Sequence, residues 1–117
     1  MTLWGTRTFR WLFWVTMAAT LVLSLLPPSG IRPVLSFWDK AQHALGFVVL
    51  AWLATASGMR WHHAALGLLA WGALIEVLQS LTSWRQGDVW DWVADAIGIA
   101  FGLALRRLWT VGSTIRS

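Results

Sequence analysis

Four apolar runs, each close to the length of a membrane crossing, constrain this chain more than any other feature. They extend from Trp11 to Leu26, Ala41 to Ser57, Ala64 to Leu81 and Val89 to Leu105. A helix needs ~17–25 residues to cross a ~30 Å hydrocarbon core, so each run approaches one span. A β-barrel would need many strands of ~10 residues with period-two alternation, and none is visible. The expected fold is all-α: a single membrane domain over residues 1–117, built as a bundle of four transmembrane helices.

Composition agrees. Of 117 residues, 57% are hydrophobic and 12% charged, and mean hydropathy is +0.60. A soluble domain this small would need far more polar surface. A net charge of +4 would point to nucleic acid in a soluble protein. Here the basic residues flank apolar runs and set topology instead, so no nucleic-acid partner is expected. Cysteine is absent, which excludes disulfides, thiolate nucleophiles and acylation of a cysteine. The first run also has the charged start of a signal peptide, but no small-residue cleavage site follows it, so it should be retained.

Short-loop charges orient the bundle. Arg7, Arg10, Arg60, Arg106, Arg107 and Arg116 fall on one side; Arg32, Lys40 and Arg85 fall on the other. Both termini and the central loop should therefore be cytoplasmic. Most of the tryptophans, among them Trp4, Trp11, Trp38, Trp61, Trp84, Trp90, Trp92 and Trp109, fall near expected interfaces, where amphipathic rings settle. Trp52 and Trp71 lie deeper. The His62–His63 pair is expected in an interfacial loop rather than on a metal, because adjacent residues diverge on a helix.

All five acidic residues, Asp39, Glu76, Asp88, Asp91 and Asp95, lie in or near the extracytoplasmic half. Helical spacing aligns them. Asp39, His43 and Gly46 share a face of the second helix. Gly72, Glu76 and Gln79 share one on the third, and Asp88, Asp91, Asp95, Gly98 and Gly102 one on the fourth. The glycines, above all Gly98-x-x-x-Gly102, should let helix backbones approach closely. Glu76 and Asp95 would sit on the order of 10 Å inside the outer boundary. A carboxylate at mid-span costs ~2.5–3.5 kcal/mol on insertion scales, and somewhat less nearer the edge. Lys40, His43 and Arg85 are the partners in reach, and a shared polar pocket opening outward would satisfy them together.

The stretches DKAQHALGF and EVLQSLTSWRQGDVWDWVADAIGIAFG resemble the VanZ-like membrane proteins. The residues that carry the resemblance are Asp39, Lys40, His43 and Phe47, then Glu76 and Gln79, then Arg85, Asp88, Asp91, Gly98 and Gly102, from about Phe37 to Gly102. The family usually has Asn where this chain has Asp95. Asp95 is therefore expected to carry a proton and donate a hydrogen bond as Asn would. The resemblance implies a multi-pass protein of the bacterial cytoplasmic (inner) membrane, related to teicoplanin resistance, and no particular reaction.

Two functions follow. In the first, the pocket binds or processes an anionic lipid-linked envelope precursor at the outer leaflet. His43, Glu76 and Asp91 are then the catalytic candidates. Lys40, Arg85, Gln79, Asp39, Asp88 and Asp95 contact the substrate. One imidazole with several carboxylates could also hold a divalent metal. In the second, the polar residues form an interhelical network in a non-catalytic binding or assembly factor. No Ser or Thr has the setting of an activated nucleophile, and a transport pathway would require an oligomer.

Overall fold

The structure is a computed structural model that describes residues 5–26, 35–83 and 89–116, with side chains over 5–26, 40–83 and 89–112. All regular secondary structure in these residues is helical: α1 (Thr6–Leu25), α2 (Leu35–Ala56), α3 (Trp61–Ser80) and α4 (Val89–Arg116). The expectation of four helices in a single bundle agrees with this architecture. Two of them, α1 and α3, are long and apolar enough to cross a membrane.

The helices outrun the apolar runs that reveal them. Helix α1 begins five residues before Trp11, α2 six before Ala41, and α4 continues eleven past Leu105. Hydropathy marks where side chains turn polar, whereas the helix persists wherever backbone bonding continues. Arg and Leu are good helix formers, so Arg106 and Arg107 change the surroundings of α4 without ending it. His62 and His63 belong to the first turn of α3 rather than to a loop, and their rings lie 4.4 Å apart. Helix α2 ends at Gly58, whose φ of 105° is the left-handed conformation that glycine adopts without steric cost. There Met59 N donates to Ala54 O at 3.1 Å, the bond of a Schellman cap.

Helices consecutive in the chain alternate in direction. Phe9 of α1 meets Trp52 edge-on, while Thr20 lies against Gly46, so α1 and α2 are antiparallel. Trp71 Nε1 donates to Thr20 Oγ1 at 3.3 Å and Gln79 Nε2 to Ser24 O at 2.8 Å, tying α3 to α1. Helices α2 and α4 run parallel and pack most extensively. A Cβ on Gly98 would lie 2.2 Å from Ala44 O, and one on Gly102 would lie 2.4 Å from Val48 O. The paired small residues on α4 thus meet the backbone of α2 directly.

Helix α2 supplies most of the core through Phe47, Leu50, Ala51 and Ala54, joined by Leu68 and Ile75 of α3 and Ile99 of α4. By contrast, α1 buries only Phe13. Large apolar side chains cover the outside: Trp11, Leu23, Leu66, Leu81 and Leu108 are all exposed, whereas Asp95 is fully buried. The apolar exterior departs from the polar outer faces of a soluble bundle, while the interior stays apolar around the buried polar group.

Candidate functional site

The two glycine contacts fix the register that builds the polar site. With Ala44 against Gly98 and Val48 against Gly102, the preceding turns of α2 and α4 must also meet. Lys40 and His43 then face Asp91 and Asp95. Lys40 Nζ is 3.2 Å from Asp91 Oδ1, and His43 Nδ1 is 3.0 Å from Asp95 Oδ1. The parallel pair therefore carries two polar rungs followed by two glycine rungs.

Helix α3 closes the site. Glu76 brings its carboxylate to the inner rung, and one ligand atom from each of His43, Glu76 and Asp95 lies within 4.8 Å of the others. Three helices thus deliver one imidazole and two carboxylates to a single point. His43 and Asp95 are buried and Glu76 is half-buried. Gly72 makes room for the group, because a Cβ there would stand 2.7 Å from Asp95 Oδ2. The set is of the kind that holds a divalent cation. It is equally of the kind in which a carboxylate orients an imidazole for proton transfer.

Position in the bundle separates the roles. Lys40 stands at the rim, with 34% of its side chain exposed, above the nearly buried Asp91. Asp91 lies in the first turn of α4, where a helix N-terminus favours negative charge. His43 and Asp95 lie a turn deeper. Gln79 is buried like them, but its amide nitrogen is engaged by α1; its Oε1 meets no hydrogen-bond partner among the described residues. Arg85 and Asp88 lie outside the described residues, as does the side chain of Asp39.

Two residues depart from their expected places. Gly46 packs on α1, 3.3 Å from Thr20 Cγ2, not on the face that carries His43. Trp92 is half-buried and donates Nε1 to Leu69 O at 3.0 Å, so it joins α4 to α3 instead of anchoring an interface. Its indole also borders Gly72, forming one wall beside Asp95. The signal for Trp92 was its place beside Asp91 and Asp95, each within three residues of it. Comparison with known families, curated proteins and solved structures finds no match.

Proposed function

We propose that the chain is a four-span VanZ-like protein of the bacterial cytoplasmic membrane. Both termini are cytoplasmic, and the polar end of the bundle binds and processes an anionic lipid-linked envelope precursor. The observation that carries this reading is the convergence of His43, Glu76 and Asp95 from three helices into one buried group. Ionisable groups inside a membrane bundle are costly and by default mark function. Interhelical hydrogen bonds in one measured membrane protein average only ~0.6 kcal/mol, a small return for burying this many charges.

Electrostatics assigns the parts. Carboxylates repel an anion, so the headgroup is held at the rim by Lys40; Arg85, the second cation expected from the sequence to contact it, lies outside the described residues. The imidazole beneath exchanges a proton with the headgroup. Asp95 engages Nδ1 at 3.0 Å and so orients the imidazole for that exchange. A divalent cation on His43, Glu76 and Asp95 would neutralise the two carboxylates of the inner group and supply Lewis acidity when bound. The second reading, a structural network, is favoured by the mutual pairing of the two rungs, Lys40 with Asp91 and His43 with Asp95.

The test is teicoplanin susceptibility of cells expressing His43→Ala, Glu76→Ala or Asp95→Asn, with membrane-inserted yield measured in parallel. Loss of the phenotype at wild-type yield is expected for His43→Ala and Glu76→Ala. Asp95→Asn, which restores the residue usual in the resembled family, should retain it. Equal loss of folded protein and phenotype in both alanine variants would leave the network reading standing instead.

Topology is tested separately. The chain has no cysteine, so single cysteines report without background. Ser83→Cys should react with an impermeant maleimide in intact cells, and Met59→Cys only after lysis. The reverse pattern, or both reacting from outside, defeats the four-span arrangement.

A further inference from the structure

The opposite end of the bundle carries a second site, independent of the polar cluster. An open groove of about 540 Å³ runs between α4 and the junction of α2 with α3, within the size range of sites that hold one small ligand. Met59, Trp61, Ala100, Leu103 and Ala104 give it an apolar lining, and Arg106 and Arg107 add two cations to it. Ala100 and Arg106 are six positions apart on α4, roughly 9 Å along the helix axis.

Charge is distributed along the bundle to match. Among the described side chains, Arg7, Arg10, Arg60, Arg106 and Arg107 all lie at this end, while Glu76, Asp91 and Asp95 lie toward the other. Neither Arg106 nor Arg107 forms an ion pair among the described residues. Arg106 is held with its guanidinium carbon 4.9 Å from the centroid of Trp52. Stacking uses the face of the guanidinium and leaves its in-plane N–H groups directed at an anion. A ligand that fits must therefore combine a negative head with an apolar tail.

We propose that this groove binds one anionic phospholipid, its phosphate on Arg106 and Arg107 and an acyl chain along Ala100, Leu103 and Ala104. The lipid would come from the leaflet on the basic side of the bundle, where anionic headgroups attract juxtamembrane arginines.

The test is native mass spectrometry of the full chain, delipidated in detergent and titrated with phosphatidylglycerol or with phosphatidylcholine of the same acyl chains. One phosphatidylglycerol should bind, at least tenfold tighter than phosphatidylcholine. Arg107→Gln, at an exposed position, should weaken phosphatidylglycerol about fivefold, the worth of one interfacial arginine, and Arg106→Gln/Arg107→Gln further. Arg7→Gln/Arg10→Gln removes the same charge from α1 at the same end and should change binding less than twofold. Ala104→Trp fills the groove with both arginines intact and should weaken both lipids. Equal binding of the two lipids, equal loss in the α1 variant, or full binding by Ala104→Trp would each overturn the assignment. A dimer mass that Ala104→Trp converts to monomer would overturn it too, by placing a second copy of the chain in the groove.

Discussion

Gly98→Leu should stop the bundle from closing. A single added Cβ already falls 2.2 Å from Ala44 O and 3.0 Å from its carbonyl carbon. Both atoms are backbone, so no rotamer change relieves the overlap. The two helices must separate, and the Lys40–Asp91 and His43–Asp95 rungs separate with them. Overpacking a core commonly costs 1–3 kcal/mol and sometimes more; here even Gly98→Ala should cost about 3 kcal/mol, and leucine should abolish folded protein. Gly67→Ala is the control, since nothing lies within 4 Å of a Cβ at that exposed helical position. It should be neutral or stabilise by up to ~1 kcal/mol, the difference in helix propensity. Size-exclusion profiles and thermal unfolding in detergent decide the matter. A Gly98→Ala protein as stable as the parent would mean that α2 and α4 do not meet at this register.

Removal of both partners of the inner rung should cost less than the sum of removing each alone. Asp95→Leu leaves His43 buried against an alkyl group, and His43→Leu does the same to Asp95. Each should lose about 2 kcal/mol, near the upper end of measured membrane hydrogen bonds and below the 3–5 kcal/mol of broken ion pairs in soluble cores. The double variant His43→Leu/Asp95→Leu should recover at least about 1 kcal/mol of the summed loss, because neither residue then leaves the other without its partner in the rung. Asp95→Asn should stay close to the parent, since an amide can still bond the imidazole. Additive losses around this cycle, read from unfolding in mixed detergent, would show that the 3.0 Å approach of His43 to Asp95 carries no coupling.

Much of this was legible in the residues, and the failures have particular causes. Apolar runs located the helices because side-chain transfer dominates the pattern. They misplaced the ends because Arg106 and Arg107 prolong a helix as readily as leucine does. Helical spacing put Asp91 and Asp95 on one face with Gly98 and Gly102, as found. It could not pair His43 with Asp95, because the register between two helices is set by where their backbones touch, and no single-helix periodicity contains it. Gly46 shows the angular limit of the same reasoning. A residue three positions on is ~60° around the axis, enough to turn Gly46 toward Thr20 on α1 while His43 faces α4. Residue type and nearness to a span boundary point Trp92 to an interface, and only the cradle at Gly72 and the carbonyl of Leu69 reveal its packing role.

The parallel contact between α2 and α4 has a consequence for biogenesis. A ribosome delivers α2 well before α4, so the most extensive helix pair cannot assemble until α4 has emerged. Through that interval His43 and Lys40 reside in the nascent chain before Asp91 and Asp95 exist to meet them. Completion of α4 brings the two carboxylates and the two contact glycines together, in a single stretch from Asp91 to Gly102. The Lys40–Asp91 and His43–Asp95 pairs and the close glycine packing therefore form together once α4 is made, and a chain cut short before Val89 would expose groups that the longer chain conceals.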